Sequence, residues 1–138
     1  EAYLSLASVL EYRGQPQEAE TAFRKAIDLS PGYASAWHWY GNFVSDYPHR
    51  REEALGFLKK AMELDPMSSI IGAATGRVYR HLGRYTEAEA QLLRVIEQDP
   101  DFAPTYVQMA DVQAELGHFD QRIMWLEKSL SLILCQSE

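Results

Sequence analysis

Residues 64–100 read LDPMSSIIGAATGRVYRHLGRYTEAEAQLLRVIEQDP, opening on Leu64-Asp65-Pro66 and closing on Gln98-Asp99-Pro100. The same mark stands at Ser30-Pro31, so proline recurs at 31, 66 and 100, in steps of 35 and 34 residues, and Leu134 falls 34 further on. Two other series keep this phase. Glycine recurs at Gly14, Gly83 and Gly117, with His49 in that place where one residue is inserted, and alanine recurs at Ala19, Ala54 and Ala88, with Arg122 in the fourth place. A fixed period of this size points to a repeat architecture.

Each period holds two apolar stripes separated by the glycine, with spacings of three and four that put each stripe on one helix face. In the first period Tyr3, Leu6, Ala7 and Leu10 line one helix, Gly14-Gln15-Pro16 turns the chain, and Ala19, Phe23, Ala26 and Ile27 line the second. Proline costs little at the first position of a helix, and Pro31 closes the pair because it cannot continue one. Small residues at Ala7, Gly41, Gly76 and Ala110 are expected to face the alanines of the second helices. Trp37, Tyr40 and Tyr106 then fill the remaining space. A lone helix pair cannot bury both faces, so pairs must stack.

Four helix-turn-helix units are therefore expected, at 1–33, 34–68, 69–102 and 103–138, the second with an inserted residue in its turn and the fourth divergent. Together they make one domain. Tyr3-x2-Leu6-Ala7, Gly14, Ala19, Phe23, Ala26 and Pro31, echoed by Trp37-x2-Tyr40-Gly41, resemble the tetratricopeptide repeat, a 34-residue antiparallel helix pair. The resemblance spans the chain and implies an all-α fold, a right-handed superhelical solenoid of four repeats. The fourth unit departs from the pattern at Arg122 and at Gln113, which points to a looser last pair.

The strings AWHWYGNF, LDPMSSIIGAATGRVY and LGRYTEAEAQL further resemble the helical repeat region of bacterial winged-helix regulators of the CadC type and of some bacterial adenylate cyclases. That resemblance implies an accessory or sensing part of a signalling protein. The chain opens on Glu1, not Met, and is expected to be a piece of a longer protein.

Bulk chemistry narrows the partners. The net charge of −7 opposes attraction to phosphate backbones and anionic lipid surfaces, so this chain is expected to bind protein or peptide and no nucleic acid. Its longest greasy run, Leu130 to Cys135, is far below the about 20 residues that span a bilayer, so no membrane insertion is expected. One cysteine permits no intrachain disulfide and fits cytosol or periplasm. A cytoplasmic setting is favoured, with a periplasmic one open to a membrane-anchored parent.

The resemblance implies that the first helix of each pair faces a concave groove that takes up a peptide or helix. By register the groove positions are Leu4, Ser8, Glu11, Tyr12, His38, Asn42, Ser45, Asp46, Arg77, Arg80, His81, Val107, Asp111 and Glu115, and the site proper comprises Tyr12, His38, Asn42, Asp46, Arg77, Arg80, His81 and Asp111. The carboxylate clamp of some family members needs cations and an amide at places where this chain carries Leu4, Ser8, Trp39, Ile70 and Ala74, so no clamp is expected. Arg77, Arg80 and His81 share one helical face by their spacing. They would attract an acidic segment, or pair with Asp46, Asp111 or Glu115 as structural ion pairs. Trp39 is expected to be core.

The inserted turn, Asp46-Tyr47-Pro48-His49-Arg50-Arg51, reads as a solvated basic turn, with Tyr47 held out of the helical region by the following proline. Glu18, Glu20, Glu52 and Glu53 read as acids placed at positive helix ends. No phosphate loop or nucleophile elbow occurs, and the histidines at 38, 49, 81 and 118 are spaced singly. The expectation is a module that is not an enzyme and uses no cofactor or metal. The competing reading is an oligomerisation or spacer segment of a larger enzyme or transcription regulator without a peptide ligand of its own. The last helix carries Ile123, Leu126, Leu130, Ile133 and Leu134, a face expected to be covered by further parent chain or, through self-association, by another copy.

Overall fold

The computed structural model describes residues 1–137, and Glu138, the last position of the fourth expected repeat, lies outside them. Eight α-helices follow one another: α1 (Ala2–Tyr12), α2 (Pro16–Leu29), α3 (Ala34–Ser45), α4 (Arg51–Leu64), α5 (Ser69–His81), α6 (Tyr85–Gln98), α7 (Ala103–Glu115) and α8 (Phe119–Gln136), with a single 3₁₀ turn at Pro48–Arg50. Among the described residues there is no strand. The helices form two compact units, Glu1–Pro66 and Met67–Glu138.

In the first unit α1 packs on α2 and α3 on α4. Gly14 turns the first pair at a φ of +72°, a conformation that costs a residue with a Cβ about 1 kcal/mol or more. The second pair has no such glycine. Tyr47 there is extended, at φ −96° and ψ 109°, as the following proline requires, and the 3₁₀ turn carries the chain into α4.

The core between these helices is aromatic. The Phe23 ring stacks on Tyr40 at 5.8 Å and tilts against Phe43 at 5.3 Å, and Tyr40 stacks on Phe57 at 4.5 Å. At Gly41 an added Cβ would stand 2.9 Å from Leu58 Cγ and 3.4 Å from the Ala54 carbonyl, so the small residue of α3 does meet the alanine of α4.

Besides Ser45, read as a groove residue but 4% exposed, three expectations need correction in this unit. Leu4, read as a groove residue, is buried, whereas Leu6, read as core, is half exposed and borders an open apolar hollow between α1 and α2 with Tyr3, Leu10 and Ala22. Trp39, read as core, is 49% exposed, and His38, read as a groove residue, is 7% exposed. At about 100° per residue His38 falls on the face of Gly41 and Ser45, which are buried as well, so α3 is buried on more sides than the stripe of Ala36 and Tyr40, and Trp39 is left outside.

The third correction concerns charge. Glu20 does not serve a helix end: it accepts hydrogen bonds from Tyr40 Oη at 2.7 Å, Arg24 Nη2 at 3.0 Å and both terminal nitrogens of Arg50, at 2.6 and 3.1 Å. Arg50 also donates to Glu53 at 2.9 and 3.0 Å, so the inserted turn is a clamp of α2, α3 and α4, not a solvated loop. The Arg50 hydrogen bonds hold the Glu20 carboxyl down at about 2, and they lower Glu53 as well.

The second unit repeats the plan with other fillings. Gly83 and Gly117 turn its pairs at φ +75° and +79°. Within α5 an added Cβ on Gly72 would stand 2.5 Å from Val95 Cγ2, and on Gly76 2.7 Å from Leu92 Cδ2, so α5 and α6 approach too closely for any side chain at these places. Asp99 of the closing mark accepts from Ser69 Oγ at 2.7 Å, tying the end of α6 to the start of α5.

One device links the two units in chemistry. Trp37 Nε1 donates to the Pro31 carbonyl at 2.9 Å, and Tyr106 Oη, at the matching place of α7, donates to the Pro100 carbonyl at 2.6 Å. An aromatic donor six residues on thus satisfies a carbonyl just past a helix end.

Gln113 is buried at 2% exposure and is fully engaged. Its amide donates to Glu89 of α6 at 2.5 Å, and its carbonyl lies 3.0 Å from His118 Nδ1 at the start of α8. This departure from the repeat pattern fastens three helices, so it does not loosen the last pair. Arg122 points to solvent. Of the described residues of α8 only Ser129 is buried, and Phe119, Ile123, Leu130, Ile133 and Leu134 are each more than half exposed.

Candidate functional site

The first helices of the pairs, α1, α3, α5 and α7, carry the site residues expected from register. In the first unit Tyr12, the last residue of α1, is 92% exposed. On α3 the Asn42 amide lies 3.0 Å from His38 Nε2, and burial of His38 leaves Asn42 as the half-exposed member of that pair. Asp46 caps the end of α3 and is exposed. The structure therefore brings His38 and Asn42 together, with His38 serving the interior.

In the second unit a cluster does form. Arg77 and Arg80 of α5 are half-buried, and Arg80 Nη2 stands 3.9 Å from Asp111 Oδ2 of α7. The same guanidinium donates to His81 Nε2 at 3.3 Å. At 3.9 Å the ion pair is at the limit of contact, which in a partly exposed setting contributes well under about 1 kcal/mol. Arg80 Nε is buried and has no hydrogen-bond partner, and the same is true of Gln108 Oε1 on α7. Orphaned buried donors and acceptors are costly, by about 1–3 kcal/mol each. Glu115, the remaining acid of this face, receives a 3.5 Å contact from Tyr85 Oη.

Register alone did not find Gln108, because its place in α5 is taken by Ala74, and nothing in the period marks a polar reader there. The spacing did find Arg80 with Asp111, since α5 and α7 are the same helix of successive pairs.

A second feature lies in the first unit, where α1 and α3 both end. Glu11, Gly14, Pro16, Phe43, Asp46 and Tyr47 line a pocket of about 360 Å³. Burial, and then the charge of Asp46, raise the Glu11 carboxyl above its usual range. Among the described residues no helix is long and apolar enough to cross a membrane.

Comparison with known proteins agrees with this plan. Models described as tetratricopeptide repeat match residues 1–43, 49–116 and 103–133. The Xenopus laevis tetratricopeptide repeat protein 37 is 33% identical over 88 residues, which cover 64% of this chain and 6% of that protein. The chain thus spans a small part of this curated relative. Among solved structures it is similar to MamA, with a TM-score of 0.83 at 20% identity over 98% of this chain and 78% of that one. It is also similar to PilW, titled a widely conserved type IV pilus biogenesis factor, with a TM-score of 0.86 at 25% identity over 96% of this chain and 61% of that one. Three matched stretches on eight helices, with three of the pairs turned by glycine, place the chain in the tetratricopeptide repeat family, as an all-α helical-repeat solenoid of the kind that serves as a protein–protein interaction scaffold.

Proposed function

We propose that this scaffold acts without catalysis and takes up a peptide or helix of a partner protein in a concave groove formed by the first helices of four repeats, at 1–33, 34–68, 69–102 and 103–138. In the second unit Arg77, Arg80, His81 and Asp111 read the partner's polar groups, and in the first unit Tyr12, Asn42 and Asp46 offer contacts of their own. The observation that carries this reading is the incomplete satisfaction of Arg80, whose buried Nε has no acceptor while its ion pair to Asp111 is loose. A partner carboxylate or backbone carbonyl meets the solvent-facing part of this guanidinium, whose side chain is 21% exposed, with a charge-assisted bond of the strong class. His38 is left out of this set because it is buried.

The resemblance of AWHWYGNF and its companion strings to regulator-linked repeats supports placing the module in a bacterial signalling or regulatory protein, as its sensing or accessory part. A cytoplasmic setting suits that reading.

Selection of displayed peptides on the purified chain, followed by titration of the best binder, tests the groove. Arg77→Ala with Arg80→Ala is expected to weaken binding at least tenfold, while Arg94→Ala with Glu97→Ala, exposed on α6, leaves it unchanged. Equal affinity of the two double variants contradicts the proposal.

A further inference from the structure

The pocket where α1 and α3 end differs from every other turn of the chain. Gly14, Gly83 and Gly117 place no side chain at the turn, whereas the inserted Tyr47-Pro48 sets an aromatic ring there, edge-on to Phe43 at 5.6 Å. The inserted Tyr47 thus forms one wall of a pocket whose other side is the Gly14 turn.

Its electrostatics have one sign. Glu11 and Asp46 both line it, and their mutual repulsion together with burial opposes ionisation of Glu11. Two helices, α1 at Tyr12 and α3 at Ser45, terminate beside it, and each helix C-terminus carries about half a negative charge. Of the basic residues in the neighbouring turn, one is committed away from the pocket and two stand at its edge. Arg50 is committed to Glu20 and Glu53, Arg51 Nε donates to the Ser45 carbonyl at 3.4 Å, and the His49 ring stands 6.4 Å from Tyr47.

At about 360 Å³ the pocket lies at the small end of ligand sites, sized for a side chain and not for a nucleotide or an organic cofactor. Carboxylates beside aromatic rings favour a flat or alkyl-stemmed cation, held by charge at its head and by ring faces along its length. We infer that this pocket, lined by Glu11, Phe43, Asp46 and Tyr47, is a binding site for a lysine or arginine side chain of a protein partner. The site lies in a different unit from Arg80 and does not depend on the reading of α5 and α7.

Titration of the ¹⁵N-labelled chain with N-acetyl-lysine amide, N-acetyl-arginine amide and the neutral N-acetyl-norleucine amide tests it. The two cations are expected to give saturable amide shifts at Gly14, Phe43, Asp46 and Tyr47, with a Kd at least tenfold below that of the norleucine compound. Glu11→Gln with Asp46→Asn, both at exposed positions, should raise the cation Kd at least tenfold while leaving the spectrum of α5–α8 unchanged. Equal shifts from the neutral compound, cation binding retained by the double variant, or tighter saturation of the same amides by calcium chloride would each overturn the inference.

Discussion

The second and third helix pairs fill the same architectural place in opposite ways. Where α3 offers Trp37 and Tyr40 against Phe57 of α4, α5 offers Gly72 and Gly76 against Gln91, Leu92 and Val95 of α6. The former pair lays rings between its helices and keeps a close approach at Gly41, where an added Cβ would stand 2.9 Å from Leu58 Cγ. The other brings them so close that no Cβ fits at Gly72 or Gly76. Their turns differ in the same spirit: Gly83 closes α5–α6 by conformational freedom, whereas α3–α4 is closed by the Arg50 clamp to Glu20 and Glu53. A repeat thus conserves the plan of its backbone while the means of filling it change, and side chains freed from one task become available for another. Tyr47 is the example here.

The sharpest way to break this comparison is to exchange fillings. Gly72→Leu forces a branched side chain into the space held by Val95 Cγ2, and overpacking of this severity should cost about 3 kcal/mol, read as a lower denaturation midpoint of the whole chain. Stability close to that of the parent would show that α5 and α6 can part without penalty.

Removing the clamp should cost less. Glu20→Gln leaves Arg50 and Tyr40 without their charged acceptor, with a loss of about 2 kcal/mol at neutral pH. Because the carboxyl is held at about 2 in the folded chain against 4.5 ordinarily, its contribution is fully present above about pH 4.5 and is lost as pH falls through 2. The parent and Glu20→Gln denaturation midpoints should therefore converge as the pH is lowered, and a difference unchanged down to pH 2 would remove Glu20 from the clamp.

The smallest effect belongs to the turn. Gly83→Ala should cost about 1 kcal/mol, because its φ of +75° burdens a Cβ although open space surrounds it. A neutral outcome would show that this turn relaxes out of the left-handed region.

Much of the fold is legible in the sequence because its determinants are local. A glycine two residues before a helix start, a proline after a helix end and alanines in phase each act within a few residues, and the period multiplies the signal. What resists reading is whatever joins distant positions. Glu20 meets Tyr40 and Arg50 at separations of 20 and 30 residues, and nothing local distinguishes it from Glu18, which does lie in the first turn of α2. Gln113 likewise reads as a defect until Glu89 and His118 are seen beside it. The candidate site was half legible: register placed Arg80 opposite Asp111, but the choice between His38 and Trp39 rests on a packing environment that helical phase alone leaves open.

The account turns on Arg80 and its neighbours being the surface that meets a partner. Amide shifts of the ¹⁵N-labelled chain with a selected peptide ligand address this most directly. Perturbations concentrated on α5 and α7, at Arg77, Arg80, His81, Gln108 and Asp111, with α6 silent, are the result predicted; perturbations confined to the exposed faces of α6 and α8 would contradict it.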